Sequence, residues 1–140
     1  DAPRKPVKIY GEVSGSAEIW CDMIKPDTAK TICTYGSEYY KGESAVTVNE
    51  YGKGRVYYVG CDLDNDAMKE LVRIIAKSAN VETVDTPNGV EVVKRDDCTI
   101  ILNHNENEVD TKIKGVSLFD GLEFNGVLDG YGVQFLEGSI

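Results

Sequence analysis

Apolar and polar positions alternate along much of the first half of the chain, the pattern of half-buried strands. Val7-Lys8-Ile9-Tyr10 alternates, Gly11 and Gly15 interrupt, and the alternation resumes through Ala17-Glu18-Ile19-Trp20-Cys21-Asp22-Met23-Ile24. Pro26-Asp27 marks a turn, Thr31-Ile32-Cys33-Thr34-Tyr35 a further strand ended by Gly36, and Ser37 to Gly42 a polar loop bearing tyrosines. Ser44-Ala45-Val46-Thr47-Val48-Asn49-Glu50 and Arg55-Val56-Tyr57-Tyr58-Val59-Gly60 flank Tyr51-Gly52-Lys53-Gly54, which predicts an antiparallel hairpin. In it, Gly52 and Gly54 supply the positive φ of a tight turn or bulge, and Val56 and Val59 supply core bulk. Cys61-Asp62-Leu63-Asp64 reads as a polar helix start, with Asp64, Asn65 or Asp66 as cap. Met68, Leu71, Val72, Ile74, Ile75 and Ala79 then recur at helical spacing, with Leu71 and Ile75 as packing residues and Asn80 as a left-handed stop.

Beyond Val84 the pattern shortens. Strands are expected at 89–94, 98–103, 109–113 and 133–136, separated at roughly ten-residue intervals by turn signals such as Pro87-Asn88-Gly89, Asn125-Gly126 and Asp129-Gly130. The expected fold is α+β and mostly antiparallel. Residues 1–82 form a truncated α/β module with a hairpin and one long helix, and residues 83–140 a small antiparallel β-sandwich, with the boundary between Glu82 and Pro87.

Composition fits such a chain: 140 residues, 41% hydrophobic and 28% charged, enough for one domain or two small ones with modest cores. Residues 1–82 carry 11 basic against 13 acidic side chains, and residues 83–140 carry 4 against 11, a net of −7 in the second part. An acidic surface repels phosphate backbones and anionic lipid, so neither nucleic acid nor membrane is expected as a partner. No apolar run approaches the roughly 20 residues of a membrane span. A chain opening on Asp1 rather than Met reads as processed or, preferably, as a piece of something longer.

Cys21, Cys33, Cys61 and Cys98 are widely spaced and have only His104 as a nitrogen partner, which argues against zinc. They read as reduced thiols in a cytoplasmic protein. Asp62-x-Asp64-x-Asp66 resembles the opening of a calcium loop, but Ala67 stands where the turn needs Gly and Arg73 where a bidentate Glu belongs. Helix capping explains those acids better. His104, between Asn103 and Asn105, reads as structural and hydrogen-bonded to a loop, since no nucleophile motif accompanies it. No glycine-bearing segment has the spacing of a phosphate or dinucleotide loop. No catalytic, cofactor-binding or metal-binding residue is assigned. Glu12, Glu18, Glu38, Glu91 and Glu123 suit solvated surfaces, not a paired-carboxyl acid/base site.

Aromatic side chains remain. Trp20, Tyr39, Tyr40, Tyr57, Tyr58 and Tyr131 could stack on sugar rings, with Tyr39 and Tyr40 in their loop the candidate contacts. Tyr57 and Tyr58 are adjacent in a strand and face opposite sides, one of them toward the core.

The ordered set of Trp20 and Asp22, Thr34-Tyr35-Gly36, Tyr39-Tyr40-Lys41-Gly42, Ala45-Val46-Thr47, Tyr51 to Gly60, an amphipathic helix, Pro87 to Val92, Leu102-Asn103-His104 and Tyr131-Gly132-Val133 resembles the C-terminal region of glycoside hydrolase family 42 β-galactosidases. The resemblance implies a parent with a catalytic (β/α)8 barrel, an α/β trimerisation domain and a small C-terminal β domain. Residues 1–82 would be the end of the trimerisation domain and residues 83–140 the C-terminal domain. The parent would hydrolyse terminal β-D-galactosides with retention, and no position here matches its two catalytic glutamates. The chain is therefore expected to be non-catalytic by itself, with homo-oligomer contacts and the missing barrel as partners and no cofactor. A free-standing carbohydrate-binding module is the alternative, and an unrelated interaction domain a third.

Overall fold

The computed structural model describes residues 5–138, which are mostly antiparallel β with one helix. By backbone contacts the chain divides into two compact units, Asp1–Glu82 and Thr83–Ile140.

The first unit is a six-stranded antiparallel sheet with one helix. Its strands are β1 (Val7–Gly11), β2 (Gly15–Cys21), β3 (Lys30–Tyr35), β4 (Ser44–Tyr51), β5 (Gly54–Val59) and β6 (Cys61–Leu63), in the order β5-β4-β3-β1-β2-β6. The two edge strands, β5 and β6, are consecutive in the chain and separated only by Gly60. Sheet edges can meet in this way only if the sheet curls almost into a barrel. Gly60 makes the join: its N–H donates to the Ala45 carbonyl at 2.8 Å, and its carbonyl accepts from Asp22 N–H at 2.6 Å. Tyr35, 1% exposed, sends its hydroxyl into the same junction, 2.8 Å from Gly60 O and 3.0 Å from Asp22 O. Ile9, Cys33, Tyr35, Val46 and Leu71 are the largest fully buried side chains of this core.

Helix α1 (Asn65–Ser78) starts at Asp64, whose carboxylate accepts Ala67 N–H at 2.9 Å. It buries Ala67 and Leu71, with Ile74 and Ile75 partly buried against the same core. Asn80 adopts φ +54°, the left-handed conformation expected beyond its end.

Three expectations for this unit are corrected. Cys61–Leu63 is a strand, not a helix start. Val56 is 57% exposed: in β5 it shares a face with Tyr58, whereas Tyr57 and Val59 pack against the core. Residues three apart in a strand point to opposite faces, so Val56 and Val59 could not both be core. Of the two turn glycines only Gly52 has a positive φ (+60°); Gly54 is already paired with Tyr51 in the ladder. The loop is thus the two residues Gly52-Lys53, with Gly at the first central position as a type II′ turn requires.

The second unit contains a three-stranded sheet of β7 (Val90–Arg95), β8 (Cys98–Asn103) and β13 (Val133–Glu137), in the order β13-β8-β7. Two short ribbons accompany it: β9 (Val109–Asp110) with β12 (Val127–Leu128), and β10 (Gly115–Val116) with β11 (Glu123–Phe124). Val90, Ile101, Ile113, Leu128 and Leu136 form its core. The strand expected at 109–113 stops at Asp110, because Lys112 turns to φ +64°. Asn103, 2% exposed, donates from its side-chain amide to the carbonyls of Asn107, Leu128 and Asp129, tying the connecting loops together.

Candidate functional site

The site of interest on the first unit grows out of an irregularity between β2 and β6. Ala17 pairs with Leu63 and Cys21 with Cys61, so Glu18, Ile19 and Trp20 on β2 lie opposite the single residue Asp62 on β6. Such a mismatch disrupts the ladder locally. Asp62 supplies an acceptor there. Its carboxylate lies 2.8 Å from Ile19 N through each oxygen, 2.9 Å from Trp20 N and 3.3 Å from Glu18 N. Partial burial pushes the Asp62 carboxyl up, but the hydrogen bonds from Trp20, Ile19 and Glu18 outweigh it and hold the group below the usual carboxylate range.

Asp64, one turn of the pleat further on, does a parallel task. Besides capping α1 it accepts Ser16 N–H at 2.5 Å and the Ser16 hydroxyl at 2.9 Å. The Ala67 N–H, foremost, and these Ser16 bonds keep its carboxyl low as well. Two of the three acids that resembled a calcium loop, Asp62 and Asp64, are therefore directed at protein N–H groups. Among the described residues no group of three or more His, Cys, Asp or Glu side chains could hold a metal ion.

The bulge turns its side chains outward. Ile19 is 71% and Trp20 45% exposed, and Met23 just beyond is also exposed. Beside them lies a surface cleft of about 560 Å³, lined by Lys5 and Val7, by Ala17 to Cys21, and by Glu38, Tyr39 and Tyr40. The two candidate tyrosines are brought together here. Tyr40 packs edge-on against the buried Tyr35 ring with centroids 5.0 Å apart, and Tyr39, 84% exposed, packs edge-on against Tyr40 at 4.8 Å. Tyr40 is a support and Tyr39 an exposed tip. Burial first, and then the neighbouring Cys21 thiol, push the Tyr40 hydroxyl pKa up. Tyr58 faces outward and hydrogen-bonds Asp22 at 3.2 Å.

Of the candidate glutamates, Glu18 and Glu38 line the cleft. Glu12, Glu18, Glu38, Glu91 and Glu123 are all exposed. His104 pairs through Nε2 with Glu91 on strand β7 at 3.0 Å, both side chains being 56% exposed, so its ring is held by a strand carboxylate and not by a loop. Sequence reasoning missed the role of Asp62, although an acid between two strand-forming residues, Cys61 and Leu63, was the available signal. It also missed Tyr35, whose burial depends on a strand pairing that no local pattern announces. Among the described residues no helix is long and apolar enough to cross a membrane.

Comparison with known proteins places these features in a family. Residues 2–82 match the family described as Beta-galactosidase trimerisation domain. Over 112 residues the chain is 36% identical to β-galactosidase BgaA of Planococcus sp. (strain 'SOS Orange'), covering 75% of this chain and 16% of that protein. Among solved structures, the β-galactosidase of Bacillus circulans sp. alkalophilus superimposes with a TM-score of 0.76 at 30% identity, over 99% of this chain and 23% of the other. The catalytic mutant E323A of Gan42B, a family 42 β-galactosidase from G. stearothermophilus, gives 0.74 at 27% identity, over 99% and 22%. The chain thus spans less than a quarter of the length of each of these relatives. With the trimerisation-domain match covering residues 2–82 and family 42 structures following the chain throughout, the chain belongs to the glycoside hydrolase family 42 β-galactosidases and corresponds to their C-terminal region.

Proposed function

We propose that this chain is the non-catalytic assembly and support portion of a β-galactosidase that hydrolyses terminal β-D-galactosides in the cytoplasm. Residues 1–82 contribute subunit contacts, in a trimer if the parent follows its family, and residues 83–140 form a small β-sandwich that supports them and the catalytic barrel. The observation that carries this reading is the trimerisation-domain match over residues 2–82. The Asp62-braced bulge is in keeping with that match: it fixes Trp20 in an exposed position beside Ile19 on the cleft, apolar side chains of the kind subunit interfaces cover.

Sugar binding is the second reading. It is favoured by one feature, the cleft that sets Trp20 near Tyr39 and Tyr40 with Glu18 and Glu38 on its wall. Isothermal titration of the purified chain with galactose and a nitrophenyl galactoside separates the two. Assembly predicts no heat of binding and no release of nitrophenol. Saturable heat that disappears in Trp20→Ala and Tyr39→Ala would move the assignment to carbohydrate binding.

A further inference from the structure

Cys21 and Cys61 are direct cross-strand partners in the β2–β6 ladder. The neighbouring position carries the Asp22 N–H to Gly60 O bond, which puts the two cysteines at a non-hydrogen-bonded site of the antiparallel pair. At such sites Cα atoms are about 4.5 Å apart and both side chains leave the same face. Disulfides need Cα separations of roughly 4.4–6.8 Å, so no backbone movement is required to join them.

Their surroundings differ in a useful way. Cys61 is 2% exposed, within reach of the Tyr35 hydroxyl, whereas Cys21 is only partly buried and lines the cleft beside Trp20 and Tyr40. Burial, foremost, pushes the Cys61 thiol up to about 12. An oxidant entering from the cleft therefore meets Cys21 first. Cys33 is buried on β3 with its thiol 3.5 Å from the Val13 carbonyl, and Cys98 belongs to the second unit.

From this geometry we infer that Cys21 and Cys61 form a reversible dithiol–disulfide pair, a modification site for peroxides, which locks edge strand β6 onto β2. In the first step the Cys21 sulfur takes one oxygen from hydrogen peroxide, giving a sulfenic acid and one water. The Cys61 sulfur then attacks the Cys21 sulfur. The S–S bond forms, the S–O bond breaks, and the departing hydroxide leaves as a second water with the Cys61 proton. Two thiols and one peroxide thus become one disulfide and two waters. A thiol reductant reverses the change.

The test is peroxide treatment of the folded full chain, alkylation of remaining thiols, and peptide mapping by mass spectrometry without reduction. The expected product is a cross-linked peptide pair containing Cys21 and Cys61, lighter by two hydrogens and abolished by dithiothreitol. It should persist in Cys33→Ala and Cys98→Ala and vanish in Cys21→Ala, a change at a partly exposed position that spares the core if Cys61→Ala does not fold. A cross-link from Cys21 to Cys33 or to a second molecule would overturn the inference. So would Cys21 accumulating as sulfinic acid in the folded wild type with Cys61 still alkylatable after unfolding.

Discussion

Asp62 holds the backbone of Ile19 with both carboxylate oxygens, each 2.8 Å from the same N–H, and so fixes the shape of the bulge that carries Trp20. One acidic side chain on an edge strand accepts the backbone N–H groups of three consecutive residues of its neighbour.

Replacing Asp62 by Ala should therefore loosen β6 and the bulge together. The bonds are charge-assisted but solvent-accessible, so the expected cost is about 1 kcal/mol, visible as a lower urea midpoint with unchanged slope. Asp62→Asn, which keeps one acceptor oxygen, should recover part of the loss.

The same two acids set an acid limit. Asp62 and Asp64 have depressed pKa values in the folded chain, so their contribution is fully present above the unfolded value near 3.9 and is lost as pH falls through the folded values. Urea midpoints should drop below about pH 4, and drop less in Asp62→Asn.

At the barrel junction, Tyr35→Phe removes the hydroxyl that donates to Gly60 O and Asp22 O at a buried position. A loss of about 1–3 kcal/mol is expected. Tyr57→Phe is the control: its hydroxyl makes only a 3.4 Å exposed contact to Ser78 and should change little.

Two hydrophobic truncations should differ sharply. Leu71 is 1% exposed and its replacement by Ala should cost about 2–5 kcal/mol, whereas Val56, 57% exposed on an edge strand, should stay within about 0.5 kcal/mol when changed to Ala. Equal effects in thermal melts would contradict the assigned facing of β5.

Local pattern carried much of this fold. The hairpin of β4 and β5, the helix with its Asp64 cap and the left-handed Asn80 each depend on neighbours within a few residues, and each was legible. What escaped was set by distant pairing. Cys61–Leu63 is too short to announce itself and becomes a strand only because β2 lies beside it. Val56 looks like core by residue type alone, but the period of two sets it opposite Val59. In the cleft, the sequence offered Tyr39 and Tyr40 from their loop, and they do meet, but it could not reveal that Tyr40 leans on buried Tyr35 while Tyr39 stands free of the core. The register of β2 against β6, which opposes Cys21 to Cys61 and sets Asp62 under the bulge, has no local signal.

The proposed role of the first unit in assembly, through the face that the bulge presents, is tested most directly by sedimentation equilibrium of the chain beside Trp20→Glu. Concentration-dependent association of the wild type, abolished by the substitution with the fold intact by circular dichroism, is the predicted result. Identical sedimentation of the two proteins, with saturable galactoside binding by the wild type alone, would contradict it.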